Sequence, residues 1–90
     1  MPHVRFTPHL LRFFPTLAEG EIPGATVREV IDELDRRYPG MAAFVMDETG
    51  RLRRHVNVFV GDEPIADRDC LTDRLSPDDR VFILQALSGG

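Results

Sequence analysis

The sequence predicts an α+β domain, a mixed sheet of four to five strands with one main helix lying across one face. Three observations predict it. A single segment, "GATVREVIDELDRRYPG", has helical apolar spacing, while short stretches before and after it alternate with a period of two. One helix covers only one face of a sheet, so the second face stays wet or meets a partner. The chain has 90 residues, the size of one domain with one compact core, and it is read as a single domain over 1–90.

In chain order, "HVRFTP" places Val4 and Phe6 on one side and His3 and Arg5 on the other, the mark of a half-buried strand. "PHLLRFFPTLAEGEIPG" carries prolines at 8, 15 and 23 and glycines at 20 and 24. It reads as a loop leading into a short return strand around Glu21-Ile22, with the prolines limiting pairing. Thr26 then caps the helix and Glu29, three residues on, completes a capping box. Val27, Val30, Ile31, Leu34 and Tyr38 make one apolar stripe, and Pro39-Gly40 ends the helix.

"MAAFVMDETGRL" is expected to hold a short helical turn that packs Phe44 and Met46, then a turn at Glu48-Thr49-Gly50. "RHVNVFVGDEPI" is the cleanest strand: Val56, Val58 and Val60 face one way, His55, Asn57 and Phe59 the other. "GDEP" turns the chain towards a brief extended piece at Ile65. "CLTDRLSPDDR" reads as a short helical turn and a loop with Leu71 and Leu75 inward. "RVFILQAL" is the last strand, with Val81 and Ile83 in the core and Phe82 and Leu84 on the opposite face.

Composition narrows the function classes. Net charge is −4, which disfavours nucleic acid, since phosphate binding needs a basic surplus. No apolar run reaches the roughly 20 residues of a membrane span, and the start lacks a signal-peptide core, so a cytoplasmic chain without membrane contact is expected. All eleven basic side chains apart from histidine are arginine. With no lysine, the chain offers no side-chain amine for an isopeptide bond. Cys70 is alone and reads as a small packing residue. His3, His9 and His55 lack ligand spacing, so neither a metal site nor a bound cofactor is expected. No catalytic triad or phosphate loop is present, so the chain does not read as an enzyme acting alone. Arg51, Arg53, Arg54 and His55 form a basic patch, which fits an acidic partner or a solvated edge.

The sequence closes on "QALSGG". With glycine usage near 7%, a Gly-Gly at that place has chance odds of roughly 1 in 200. Together with "VNVFVGDEPI…LTDRLSPDDRVFILQALSGG" it resembles the ubiquitin-like sulfur carriers, the MoaD/ThiS-like family. That family includes the small subunit of molybdopterin synthase, the thiamine sulfur carrier and the carrier of a cysteine-synthesis route. The helix over 26–38 and the "YPG" after it also fit, so the resemblance covers essentially the whole chain. One departure is Pro77-Asp78, where the family often has Asp-Gly; it affects the turn and leaves the tail unaffected.

The resemblance implies the β-grasp fold. It also implies that an E1-like enzyme uses Mg-ATP to adenylate the Gly90 carboxylate. A sulfur donor of desulfurase or rhodanese type then makes the thiocarboxylate, which passes sulfur to an accepting synthase. Adenylation turns a poor electrophile into one with a good leaving group. Gly90 would supply the reacting group and Gly89 the clearance, because glycine lets the backbone approach closely. Phe82, Leu84, Leu87 and Ser88 are the expected partner-binding residues, with cover of Phe82 by Phe13 or Phe14 as the alternative. "MDETGRLRRHVNVFV" looks closer to the cysteine-synthesis and molybdopterin carriers than to the thiamine one. A protein modifier joined to target lysines through the same tail, and a β-grasp interaction module without tail chemistry, are the rival readings.

Overall fold

The structure is a computed structural model that describes residues 1–85. Five strands form one sheet in the order β2-β1-β5-β3-β4. They are β1 (His3–Phe6), β2 (Gly20–Glu21), β3 (Val56–Val60), β4 (Glu63–Pro64) and β5 (Arg80–Gln85). β1 and β5 run parallel at the centre, and the other pairs are antiparallel. Helix α1 (Val27–Arg37) and the short α2 (Met41–Val45) lie between β2 and β3 in the chain. This is the α+β mixed sheet with one main helix that the patterning predicts.

The core is the seam between α1 and one sheet face. Val27, Val30, Ile31 and Leu34 are fully buried against Val4, Val56, Val58, Val81 and Ile83. The alternation read along β1, β3 and β5 therefore has the right parity, since a slip of one residue would have exposed every valine. The Thr26 hydroxyl accepts from the Glu29 N–H at 3.2 Å, while the Glu29 carboxylate reaches back to the Ala25 N–H at 3.0 Å. The next two amides, Val27 and Arg28, donate to the carbonyls of Asp73 and Leu71, so the 71–75 segment finishes the helix cap. Gly24 makes this entry possible: a Cβ there would sit 2.7 Å from Val30 Cγ2 and 2.8 Å from Val30 N.

Three local expectations need correction: the plain loop after β1, the position of the return strand and the packing of Cys70. The segment after β1 is not plain loop, because Pro8–Arg12 form a 3-10 turn that buries Leu10, and the return strand is Gly20–Glu21, one residue early. Proline at its first position has no N–H to satisfy, which suits a helix start. In α2 the buried residues are Met41 and Val45; Met46 is buried just after it, and Phe44 is half-buried against Phe13 and Phe14. The 67–75 stretch makes only one turn, Leu71 N–H to Asp67 carbonyl, and stops because Leu71 adopts φ 56°. Its organiser is Asp67, whose carboxylate accepts from the N–H groups of Asp69, Cys70 and Thr72 and from the Thr72 hydroxyl. Cys70 is exposed in that turn and packs nothing, since the turn aims Leu71 inward instead.

Candidate functional site

The face of the sheet away from α1 is only partly covered by the described residues. Register places Arg5, Phe82, Phe59 and Pro64 in one row across four strands, with Leu84 beside Asn57 in the next. Phe82, Phe59 and Leu84 are half-buried there, while Arg5 and Asn57 are exposed. Phe13 and Phe14 stack on Phe44 and do not cover Phe82. The Arg5 guanidinium does, at 5.2 Å from the ring centroid, held in turn by Glu19 at 3.0 Å. An aromatic and aliphatic strip on a sheet face, framed by polar residues, has the make-up of a docking surface.

That strip leads to the end of β5. In a parallel ladder the Gln85 N–H would donate to the Thr7 carbonyl, but Leu10 N–H takes that oxygen at 2.9 Å to start the 3-10 turn. The Thr7 hydroxyl accepts from Gln85 N–H instead, at 3.2 Å, while Thr7 N–H donates to the Ile83 carbonyl at 3.1 Å. The last described residue of the strand is therefore held by a side-chain latch. Gln85 Oε1 is buried there without a hydrogen-bond partner among the described residues. On the other side, Val56 is the register partner of Gln85, so the start of β3 flanks the same strand end.

Of the expected site residues, Phe82 and Leu84 come together on the open face. Leu87, Ser88, Gly89 and Gly90 lie outside the described residues. Sequence reading missed Thr7, Asn57 and Arg68. The usable signal was Thr7-Pro8 at a strand end, where proline cannot continue a ladder and the threonine side chain can. Arg68 donates to Asn57 Oδ1 at 3.2 Å and to the Arg53 and Val56 carbonyls at 2.8 and 2.9 Å. No local pattern announces that long-range fork. Among the described residues, no group of three or more His, Cys, Asp and Glu side chains is placed to hold a metal ion, and no helix is long and apolar enough to cross a membrane.

The model of the ThiS family matches residues 11–90 of the sequence. The chain belongs to the ThiS family. Among curated proteins, this ThiS-family chain is 36% identical over 69 residues to the sulfur carrier protein CysO of Mycobacterium tuberculosis, covering 74% of each chain. Among solved structures, it superposes on a chain of the Amycolatopsis orientalis BexX/CysO complex with a TM-score of 0.84, 31% identity and full coverage of both chains. CysO of Mycobacterium tuberculosis gives a TM-score of 0.82 at 28% identity, with 97% of this chain and 100% of that chain covered. A small archaeal modifier protein from Haloferax volcanii shares the fold alone, with a TM-score of 0.75, 23% identity and coverage of 98% and 97%. The sheet and helix of this ThiS-family member are thus the ubiquitin-like β-grasp.

Proposed function

We infer that this protein is a cytoplasmic sulfur carrier of the CysO type, with the Gly90 carboxyl group as its point of attachment. The single observation that carries the reading is its 36% identity to CysO over 69 residues. In this reading an E1-like enzyme transfers AMP from Mg-ATP to the carboxylate. The terminal sulfur of a persulfide on a desulfurase or rhodanese attacks the acyl carbon; the C–S bond forms, the C–O bond to phosphate breaks and AMP leaves, and a thiol reductant then cleaves the S–S bond to free the thiocarboxylate. The chain supplies no acid or base. Its part is to hold out an unhindered carbonyl and to dock.

Docking falls to the open face, Phe82 and Leu84, with Leu87 and Ser88 following along the tail. The latch at Thr7 holds Gln85, five residues before the reacting carboxyl group. Gly89 provides clearance for the nucleotide and the attacking sulfur. The accepting enzyme is a synthase that builds cysteine.

The test is ATP–pyrophosphate exchange with the adenylating enzyme of the same organism. Wild type should support exchange, and a chain lacking Gly90 should not, with an unchanged circular dichroism spectrum. An unchanged exchange rate on deletion of Gly90 would sink the assignment.

A further inference from the structure

We propose that the basic cleft at the start of β3 is a second docking element, fitted to an acidic segment of the adenylating enzyme. This rests on the carrier reading and deepens it by giving the charge of the partner's surface. The cleft encloses about 570 Å³ and is lined chiefly by Arg51, Arg53, Arg54, His55 and Arg68, with Asp47 and Asp69. Four arginines against two aspartates leave it a positive surplus in a chain whose net charge is −4. Positive charge is thus locally in excess on a molecule that is acidic in sum.

The hydrogen bonding leaves most of that charge without an ion-paired carboxylate, although Asp47 feels the Arg53 charge and Asp69 pairs with Arg51. Arg68 is part-buried and donates to three neutral oxygens, on Asn57, Arg53 and Val56, so its guanidinium is fixed in place without a counter-ion. Arg53 Nε donates to the Ala43 carbonyl at 3.0 Å, again a neutral acceptor. Arg54 and His55 are exposed and have no hydrogen-bond or ion-pair partner among the described residues. Among the described residues, Arg51 alone of these is ion-paired, with Asp69 at 3.2 Å in an exposed contact that a partner's carboxylate can replace. Asp47 is occupied with its own turn, accepting from the Thr49 hydroxyl and from the Thr49 and Arg51 N–H groups. Preorganised guanidiniums bind carboxylates without first losing their own freedom.

Location connects the cleft to the chemistry. His55 precedes Val56, whose register partner is Gln85, the last described residue of β5. Arg68 also bonds Asn57, the register partner of Leu84 on the open face. An acidic segment seated here would therefore lie beside both the apolar strip and the strand that leads to the tail. Complementary charges at such a rim act mainly on encounter and register, and weaken with salt.

The experiment measures KM for the carrier in ATP–pyrophosphate exchange at low and high salt. The R51Q/R54Q variant leaves the backbone-anchored arginines in place; Arg36→Gln on α1 makes a charge control. The double variant should raise KM about tenfold at low salt with kcat unchanged, and should flatten the rise of KM with salt seen in wild type. Arg36→Gln should leave KM within about twofold of wild type. In parallel, hexaglutamate should shift the amide resonances of 51–55 in wild-type protein, and hexalysine should not. A double variant with wild-type KM and salt dependence overturns the proposal, as does equal perturbation by both peptides. If wild type supports no exchange at all, the carrier reading fails, and the peptide titration alone decides the cleft.

Discussion

Thr7 holds the last described residue of β5. Its carbonyl serves the 3-10 turn and its hydroxyl takes the Gln85 N–H, so Thr7→Val leaves that amide without its acceptor. Losing one such bond should speed hydrogen exchange at Gln85 by roughly five- to tenfold. The Val58 amide should be unaffected, and Thr7→Ser should restore protection. Gly89→Val is the matching test of the tail: bulk one residue from the reacting carbon should cut adenylation at least about hundredfold, with the melting temperature unchanged. Residue chemistry was unevenly legible in the sequence. The Thr26–Glu29 capping pair could be read directly, because both partners lie within one turn. The Asp67 cluster and the Arg68 fork could not, since their partners depend on how distant segments are folded together.

β5 carries both structure and docking, on alternate residues. Val81 and Ile83 are buried under α1, and Phe82 and Leu84 face away, so Leu84→Asp should leave stability little changed. It should weaken binding to the adenylating enzyme by about 2 kcal/mol, measured by calorimetry. Unfolding of that variant would contradict the assignment of faces. Helix α1 depends on its tight entry. Gly24→Ala drives a Cβ against the Val30 backbone nitrogen at 2.8 Å and should destabilise the fold by about 1–3 kcal/mol in urea unfolding. The long elements were legible because their apolar period repeats over several residues: α1, β3 and β5 each have one buried stripe. Of the short ones, the 3-10 turn escaped the pattern. Pro8–Arg12 buries only Leu10, and one buried residue makes no period.

At the scale of the whole molecule, acid should loosen the fold through a few carboxylates held charged in the native state. Glu33 is lowered from 4.5 to about 2, first by the hydrogen bonds that Arg36 donates to its carboxylate and then by the one from Arg37. Asp67 is lowered chiefly by the Thr72 hydroxyl and the Cys70 N–H, and Asp47 chiefly by the Thr49 hydroxyl. A lowered native pKa stabilises the fold above the unfolded value and ceases to do so as the carboxylate protonates. Stability should therefore fall as pH drops from about 4.5 towards 2, and Glu33→Gln should flatten that limb. The measurement is unfolding free energy against pH. The carrier function rests on one chemical event at one atom. Incubated with its adenylating enzyme, Mg-ATP and sulfide, the intact protein should gain the mass difference between sulfur and oxygen. Fragmentation should place that gain on Gly90, and Cys70→Ala should gain it equally. A chain that is adenylated yet never gains sulfur, and is recovered only amide-linked to other proteins, would contradict the carrier assignment.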